Sequence, residues 1–184
     1  RADDARAAVD AGADWIGVVF AQRSPRRVGR ESAREIARAV RGRATIAGVF
    51  VDAPLEEVNA IADGVALDVV QLHGRETDAY CAAVMRPVVK AVRVSTAVSP
   101  FAHPSATWTL YDAGVAGVDG GSGRTFDWSL LTEPHRPFFL AGGLRPGTVA
   151  AAIAAVAPDG VDVSSGVELQ PGIKDHDAMR RFIE

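Results

Sequence analysis

Cysteine is nearly absent from this sequence: 184 residues contain one, Cys81, so no intramolecular disulfide can staple the fold. No run approaches the roughly 18 unbroken apolar residues of a membrane-spanning helix, and the first residues carry no secretory pattern. These absences predict a soluble protein in a reducing, cytoplasmic setting. Charge of one sign is lacking too. A formal net charge of -3 and a pI near 5.8 leave no basic footprint for nucleic acid or an anionic membrane surface, so any anionic ligand must be held by local groups. No Cys and His spacing fits a metal site, and no dinucleotide fingerprint occurs.

What the chain does have is apolar content, 48%, enough for one core but in too short a chain for two ordinary domains, so residues 1–184 are expected to form a single domain. Seven short apolar runs stand out: Trp15 to Phe20, Thr45 to Val51, Leu67 to Leu72, Val88 to Val94, Thr107 to Asp112, Pro137 to Ala141 and Gly160 to Ser164. They are apolar throughout rather than alternating, as parallel strands covered on both faces are. Between them lie segments of helical period. Ala33, Ile36, Ala37 and Val40 fall on one stripe, as do Leu55, Val58, Ile61 and Ala62, and Val149, Ala152, Ile153 and Val156. Pro54 and Pro146 suit first helical turns, where a missing N–H costs nothing.

Successive strand starts are 19 to 30 residues apart, the length of a strand, a helix and two loops. Seven or eight such units in one chain predict an α/β fold of the (β/α)8 TIM-barrel type. The sequence opens on a helical segment, Ala2 to Ala11, whose Ala5, Ala8 and Val9 would face a sheet. A closed barrel needs eight strands, and a gap would leave unpaired edges on two neighbours. The expectation is therefore a barrel lacking its first β-strand in this sequence, with that strand preceding Arg1.

Active sites of such barrels lie at the C-terminal strand ends. Gly120 to Gly123, including Gly121, Ser122 and Gly123, could let backbone N–H groups converge on an anion, or form a plain surface loop. Gly142 and Gly143 end one strand and run into an expected helix start at Arg145-Pro146, which would place their amides at a helix N-terminus. Ser164, Ser165 and Gly166 close the last strand. Two such turns on the last two strands match the phosphate site common in these barrels and point to a phosphate-bearing substrate.

Asp112 ends an otherwise apolar strand, where burial raises a carboxyl pKa and suits a general acid; a loop-capping aspartate is the other reading. Arg26, in Ser24-Pro25-Arg26-Arg27, could fork onto a carboxylate or lie in a solvated loop. His73 also ends a strand and could be a rim residue. Cys81 falls mid-helix and reads as a buried packing residue rather than a nucleophile.

Taken together, Val70 to Gly74 (VQLHG), Gly120 to Trp128 (GGSGRTFDW), Ala141 to Leu144 (AGGL) and Val161 to Glu168 (VDVSSGVE) closely resemble the phosphoribosylanthranilate isomerases of tryptophan biosynthesis. Pro171 to Asp177 also fits the family's approach to its last helix, so the resemblance covers nearly the whole chain.

The resemblance implies an Amadori rearrangement of N-(5-phosphoribosyl)anthranilate to 1-(2-carboxyphenylamino)-1-deoxyribulose 5-phosphate, without metal or organic cofactor. The implied partner is a small phosphorylated sugar-amine, not nucleic acid or a membrane, and the assembly a monomer or a homodimer. Asp112 would protonate the furanose ring oxygen and a cysteine thiolate would take the C2 proton. Arg26 would hold the anthranilate carboxylate, Asp162 would lie near the sugar hydroxyls, and His73 would be a further substrate-binding residue. The Gly121 to Gly123, Gly142 to Gly143 and Ser164 to Gly166 segments would enclose the phosphate. The family's cysteine lies in a Lys-x-Cys-Gly motif on the first strand, which Cys81 does not match. A phosphate-sugar binder without turnover is accordingly a second reading. A third is another phosphate-binding barrel enzyme, a ribulose-phosphate epimerase or an indole-glycerol-phosphate synthase, whose metal ligands or Lys and Glu pair this sequence does not display.

Overall fold

The computed structural model describes residues 1–94, 103–113, 127–131, 134, 135 and 137–184. Their elements alternate as the apolar runs predict. Helix α1 (Ala2–Asp10) leads to β1 (Trp15–Val19), α2 (Arg30–Val40), β2 (Thr45–Phe50), α3 (Leu55–Val65), β3 (Val69–Leu72), α4 (Asp78–Ala83), β4 (Val88–Val94) and β5 (Trp108–Ala113). A short 3-10 turn (Trp128–Leu130) precedes β6 (Phe138–Leu140), α5 (Val149–Val156) and β7 (Gly160–Val161). A second 3-10 turn (Ser165–Val167), the antiparallel pair β8 (Glu168–Gln170) and β9 (Ile173–Lys174), and α6 (His176–Ile183) complete the order.

Strands β1 to β7 form one parallel sheet in chain order, with β1 and β7 at its two edges, the architecture of a (β/α)8 barrel with seven strands in the sheet. All four residues of β3 are buried, which is why its sequence is apolar without alternation. Alternate residues divide between two layers. Ala47, Val69, Val89, Ala91, Leu110 and Ala141 pack together inside the barrel with Trp15, Trp108 and Phe139. Trp15, from the edge strand β1, meets the Trp108 ring at 5.2 Å and the Phe139 ring at 5.1 Å, filling the N-terminal end with large edge-to-face contacts. The other parity packs outward, as Val18, Ile46, Val70 and Leu72 do against Ala33, Ile36, Val58 and Ile61.

The outer layer also joins the two ends of the chain. Ala8 of α1 shares a core with Met179 and Phe182 of α6, and Asp4 accepts a hydrogen bond from His176 at 2.8 Å. Among the described residues no helix is long and apolar enough to cross a membrane.

Four local expectations need correction. The helix after Gly143 does not begin at Arg145-Pro146: Arg145 to Thr148 make a turn, closed by Thr148 N–H donating to the Arg145 carbonyl, and α5 starts at Val149. Proline in a type I turn and in a first helical turn have the same φ, so the sequence did not separate them. Pro54 caps α3 from outside rather than occupying its first turn. Ile153 is 45% exposed, so the apolar stripe of α5 is Val149 and Ala152 with half-buried Val156. The last strand pairs over Gly160 and Val161, with the Asp162 amide adding one bond to the Leu140 carbonyl.

Candidate active site at the barrel mouth

Strand register decides which side chains reach the C-terminal mouth. Inward parity on β3 runs Val69, Gln71 and then His73; Gln71 lies beside Val89 and Trp108 follows on β5, so the same face of β4 and β5 ends with Arg93 beside Asp112. Asp162 follows β7 on the same face, since Gly160 is paired with inward-facing Phe139. Asp112 is half-buried there.

Gln71 links two of these groups across the mouth. Its Nε2 lies 2.7 Å from His73 Nε2 and donates to Asp162 Oδ2 at 3.3 Å. A carboxylate can only accept here, which fixes the amide nitrogen as the group facing it. The same nitrogen has only donors to offer, so His73 Nε2 must accept and the imidazole is neutral with its proton on Nδ1. Burial lowers the His73 pKa, the Asp162 charge opposes that, and the Lys90 charge adds to it. No motif singles out Gln71 as a site residue; a polar residue at inward parity in a strand of Val and Leu is the signal that finds it.

The two turns beyond β6 and β7 touch each other. Gly142 and Gly143 both have positive φ, 90° and 66°, a conformation that a side chain would strain. A Cβ on Gly166 would overlap the Leu144 carbonyl oxygen, so the Ser164 to Gly166 turn reaches the Gly142-Gly143 turn only because residue 166 is glycine. Among the described residues no hydrogen bond engages the amides of Gly142, Gly143, Ser164 or Ser165. Without the helix expected at Arg145, an anion here would be held by these amides rather than by a helix dipole. The Gly121, Ser122 and Gly123 loop lies outside the described residues.

Arg26 stands on the loop after β1 and is already engaged. Its Nε donates to Glu168 at 2.9 and 3.0 Å and its Nη2 at 2.7 Å, with Arg26 14% and Glu168 4% exposed. Lys174 Nζ adds a bond to Glu168 at 3.2 Å and one to the Ser164 carbonyl at 2.9 Å, coupling this cluster to the serine turn. Burial of Glu168 opposes ionisation, but the Arg26 bond and Lys174 together hold its carboxyl below the usual range. Glu168 and Lys174 are 142 and 148 positions from Arg26 in the chain, and no spacing rule would bring them together.

Cys81 is buried on α4 in the outer layer, packed with Leu72 and Val88, and burial raises its pKa. It does not face the mouth.

Residues 1–184 match the family described as N-(5'phosphoribosyl)anthranilate (PRA) isomerase. An N-(5'-phosphoribosyl)anthranilate isomerase of Pseudomonas fluorescens (strain Pf0-1) is 50% identical, the alignment covering 100% of this chain and 92% of that protein. The crystal structure of phosphoribosyl anthranilate isomerase from Thermotoga maritima superposes with a TM-score of 0.90 at 40% identity, covering 100% of this chain and 92% of that one. A phosphoribosyl anthranilate isomerase in complex with reduced 1-(o-carboxyphenylamino)-1-deoxyribulose 5-phosphate superposes at 0.86 with 37% identity and the same coverage.

Proposed function

Since the chain belongs to the N-(5'-phosphoribosyl)anthranilate isomerase family, an aldose-ketose isomerase of tryptophan biosynthesis, we propose how its mouth performs that reaction. The abutting Gly142-Gly143 and Ser164 to Gly166 turns hold the 5-phosphate through backbone N–H groups, and Gly121, Ser122 and Gly123, outside the described residues, complete the phosphate site. Asp112 gives its proton to the furanose ring oxygen as the C1–O bond breaks and the aniline nitrogen lone pair forms C=N. A base takes the C2 proton, the electrons pass to nitrogen as an enolamine, and tautomerisation yields the C2 ketone. Cys81, in the outer layer, does not supply that base.

Asp162 and the Nδ1–H of neutral His73 bind the sugar hydroxyls. Arg26, oriented by Glu168 through Nε and Nη2, offers its remaining Nη1 edge to the anthranilate carboxylate. Residues 1–184 act as one domain, a reading supported by the interior cluster shared from Trp15 to Ala141 and by the packing of α1 on α6. A lone, buried cysteine supports a cytoplasmic setting. Family membership favours an isomerase over a binder without turnover.

The observation that carries this reading is the contact of Gly166 with Leu144, which puts two turns of unengaged amides on the mouth that Asp112, His73 and Asp162 face. The test is Asp112→Asn, followed by fluorescence turnover of phosphoribosylanthranilate and calorimetry with reduced 1-(o-carboxyphenylamino)-1-deoxyribulose 5-phosphate. Turnover should fall about 100-fold or more while the analogue still binds. Unaltered turnover removes Asp112 from its role.

A further inference from the structure

Lys90 sits in the middle of β4 on the outward face, 3% exposed at its side chain, in a run of Val and Ala. All three ammonium protons are used. Lys90 Nζ donates to Glu76 Oε2 at 2.9 Å, to the Gly74 carbonyl at 2.8 Å and to the Leu72 carbonyl at 3.2 Å. Glu76, 2% exposed, accepts the Asp52 amide on its other oxygen at 2.9 Å. Asp52 in turn accepts the Arg75 amide at 2.6 Å, and the His73 amide donates to the Phe50 carbonyl at 2.9 Å. The carbonyls on both sides of His73 are therefore tied to one ammonium, and the backbone just after β2 is tied to its counter-ion.

A buried ion pair is an expensive way to gain stability, because well-packed apolar residues of similar volume often do as well or better. Such residues could not hold these carbonyls. At the end of β3 the ladder stops, and the Leu72 and Gly74 carbonyls turn toward the space between sheet and helices, where an unpaired carbonyl would be costly. Lysine suits this place because its compact ammonium has three rotatable donors on a flexible stem, matching two carbonyls and one carboxylate.

We propose that Lys90, held by Glu76, is a positioning residue for His73: it pins the backbone on either side of the imidazole and so sets the ring against Gln71 and across from Asp162. Lys90 never touches the substrate. The proposal rests on the reading that His73 contacts the sugar, and its consequence is that Lys90 acts on the reaction through His73 alone.

The test is a double-mutant cycle. Lys90→Met alone strands a buried carboxylate and can fail to fold, so the change is made as Lys90→Met with Glu76→Gln, which removes both charges and keeps an acceptor for the Asp52 amide. This paired variant and His73→Asn are measured singly and together for kcat/KM, and the 15N shifts of the His73 ring report its tautomer. The paired variant should lower kcat/KM about tenfold when His73 is present and less than about twofold in the His73→Asn background. Its His73 Nε2 signal should leave the acceptor position.

Equal losses in both backgrounds, or a lower melting temperature with unchanged kcat/KM and unchanged ring shifts, overturn the proposal. If His73→Asn itself leaves turnover intact, the assignment of His73 to the substrate fails. Pinning is then judged by the ring shifts alone, and unchanged shifts reject it.

Discussion

Arg26 and Glu168 meet edge to edge, Nη2 to Oε2 at 2.7 Å, although they stand 142 positions apart in the chain. One follows the first strand of the sheet and the other follows the last, so this pair bridges the two sheet edges at the mouth. It also turns the guanidinium so that its Nε edge faces the protein.

Breaking that bridge should cost both stability and recognition of the carboxylated ring. Glu168→Gln keeps the shape but loses the charge, and a hydrogen bond to a charged partner contributes about 2 kcal/mol. For a chain of this length the melting temperature should drop by roughly 4–8 °C. The more specific readout is selectivity. The kcat/KM ratio of phosphoribosylanthranilate over the aniline analogue lacking the carboxylate should fall in Glu168→Gln. An unchanged ratio would mean that Arg26 serves the fold and not the anthranilate.

Asp4 gives the fold an acid limit. Its side chain is 5% exposed and accepts bonds from Arg1 at 3.0 Å and His176 at 2.8 Å. Burial opposes its ionisation, yet those bonds prevail and hold its pKa at about 2 against the ordinary 3.8. A depressed carboxyl pKa contributes stability that is complete above the unfolded value and is lost as pH falls through the folded one. That window runs from about pH 4 to about pH 2. The melting temperature should fall with pH across this window for the unsubstituted protein and fall less for Asp4→Asn. Parallel curves would show that another group controls acid unfolding. Because the bond joins α1 to α6, its loss should open the outer layer where the chain's two ends meet.

Much of this architecture is legible in the residues themselves. Parallel strands buried on both faces leave unbroken apolar runs, and each of the seven runs became a strand of the sheet, from Trp15 to Val161. Glycine positions were legible for a similar reason, since a turn such as Gly142-Gly143 needs a backbone that side chains forbid. What the sequence hid were relations set by register and by distance along the chain. Lys90 looked like one residue of a strand, and only the pairing of β3 with β4 puts its ammonium under His73. Arg26 looked like an open fork because nothing in its loop announces Glu168. The start of α5 is not legible in the sequence because Pro146 fits a turn as well as a helix.

Gly166 offers the sharpest test of the phosphate assignment. In Gly166→Ala the new methyl would overlap the Leu144 carbonyl oxygen and press on Arg145 Cα at 3.2 Å, both backbone atoms that cannot rotate away. The two turns must separate, and overpacking of this kind costs roughly 1–3 kcal/mol. Their amides would then no longer converge, so the loss should fall on the phosphate and not on the rest of the ligand. Affinity for reduced 1-(o-carboxyphenylamino)-1-deoxyribulose 5-phosphate should weaken about tenfold or more, about 1.4 kcal/mol per decade. Affinity for the same compound without its phosphate should change less than about twofold, because Arg26, Asp112 and Asp162 lie outside the two turns. Calorimetry with both compounds separates the cases. If both affinities fall together, the variant has disturbed the whole mouth. If neither falls, the phosphate is held elsewhere and the assignment of these turns is wrong.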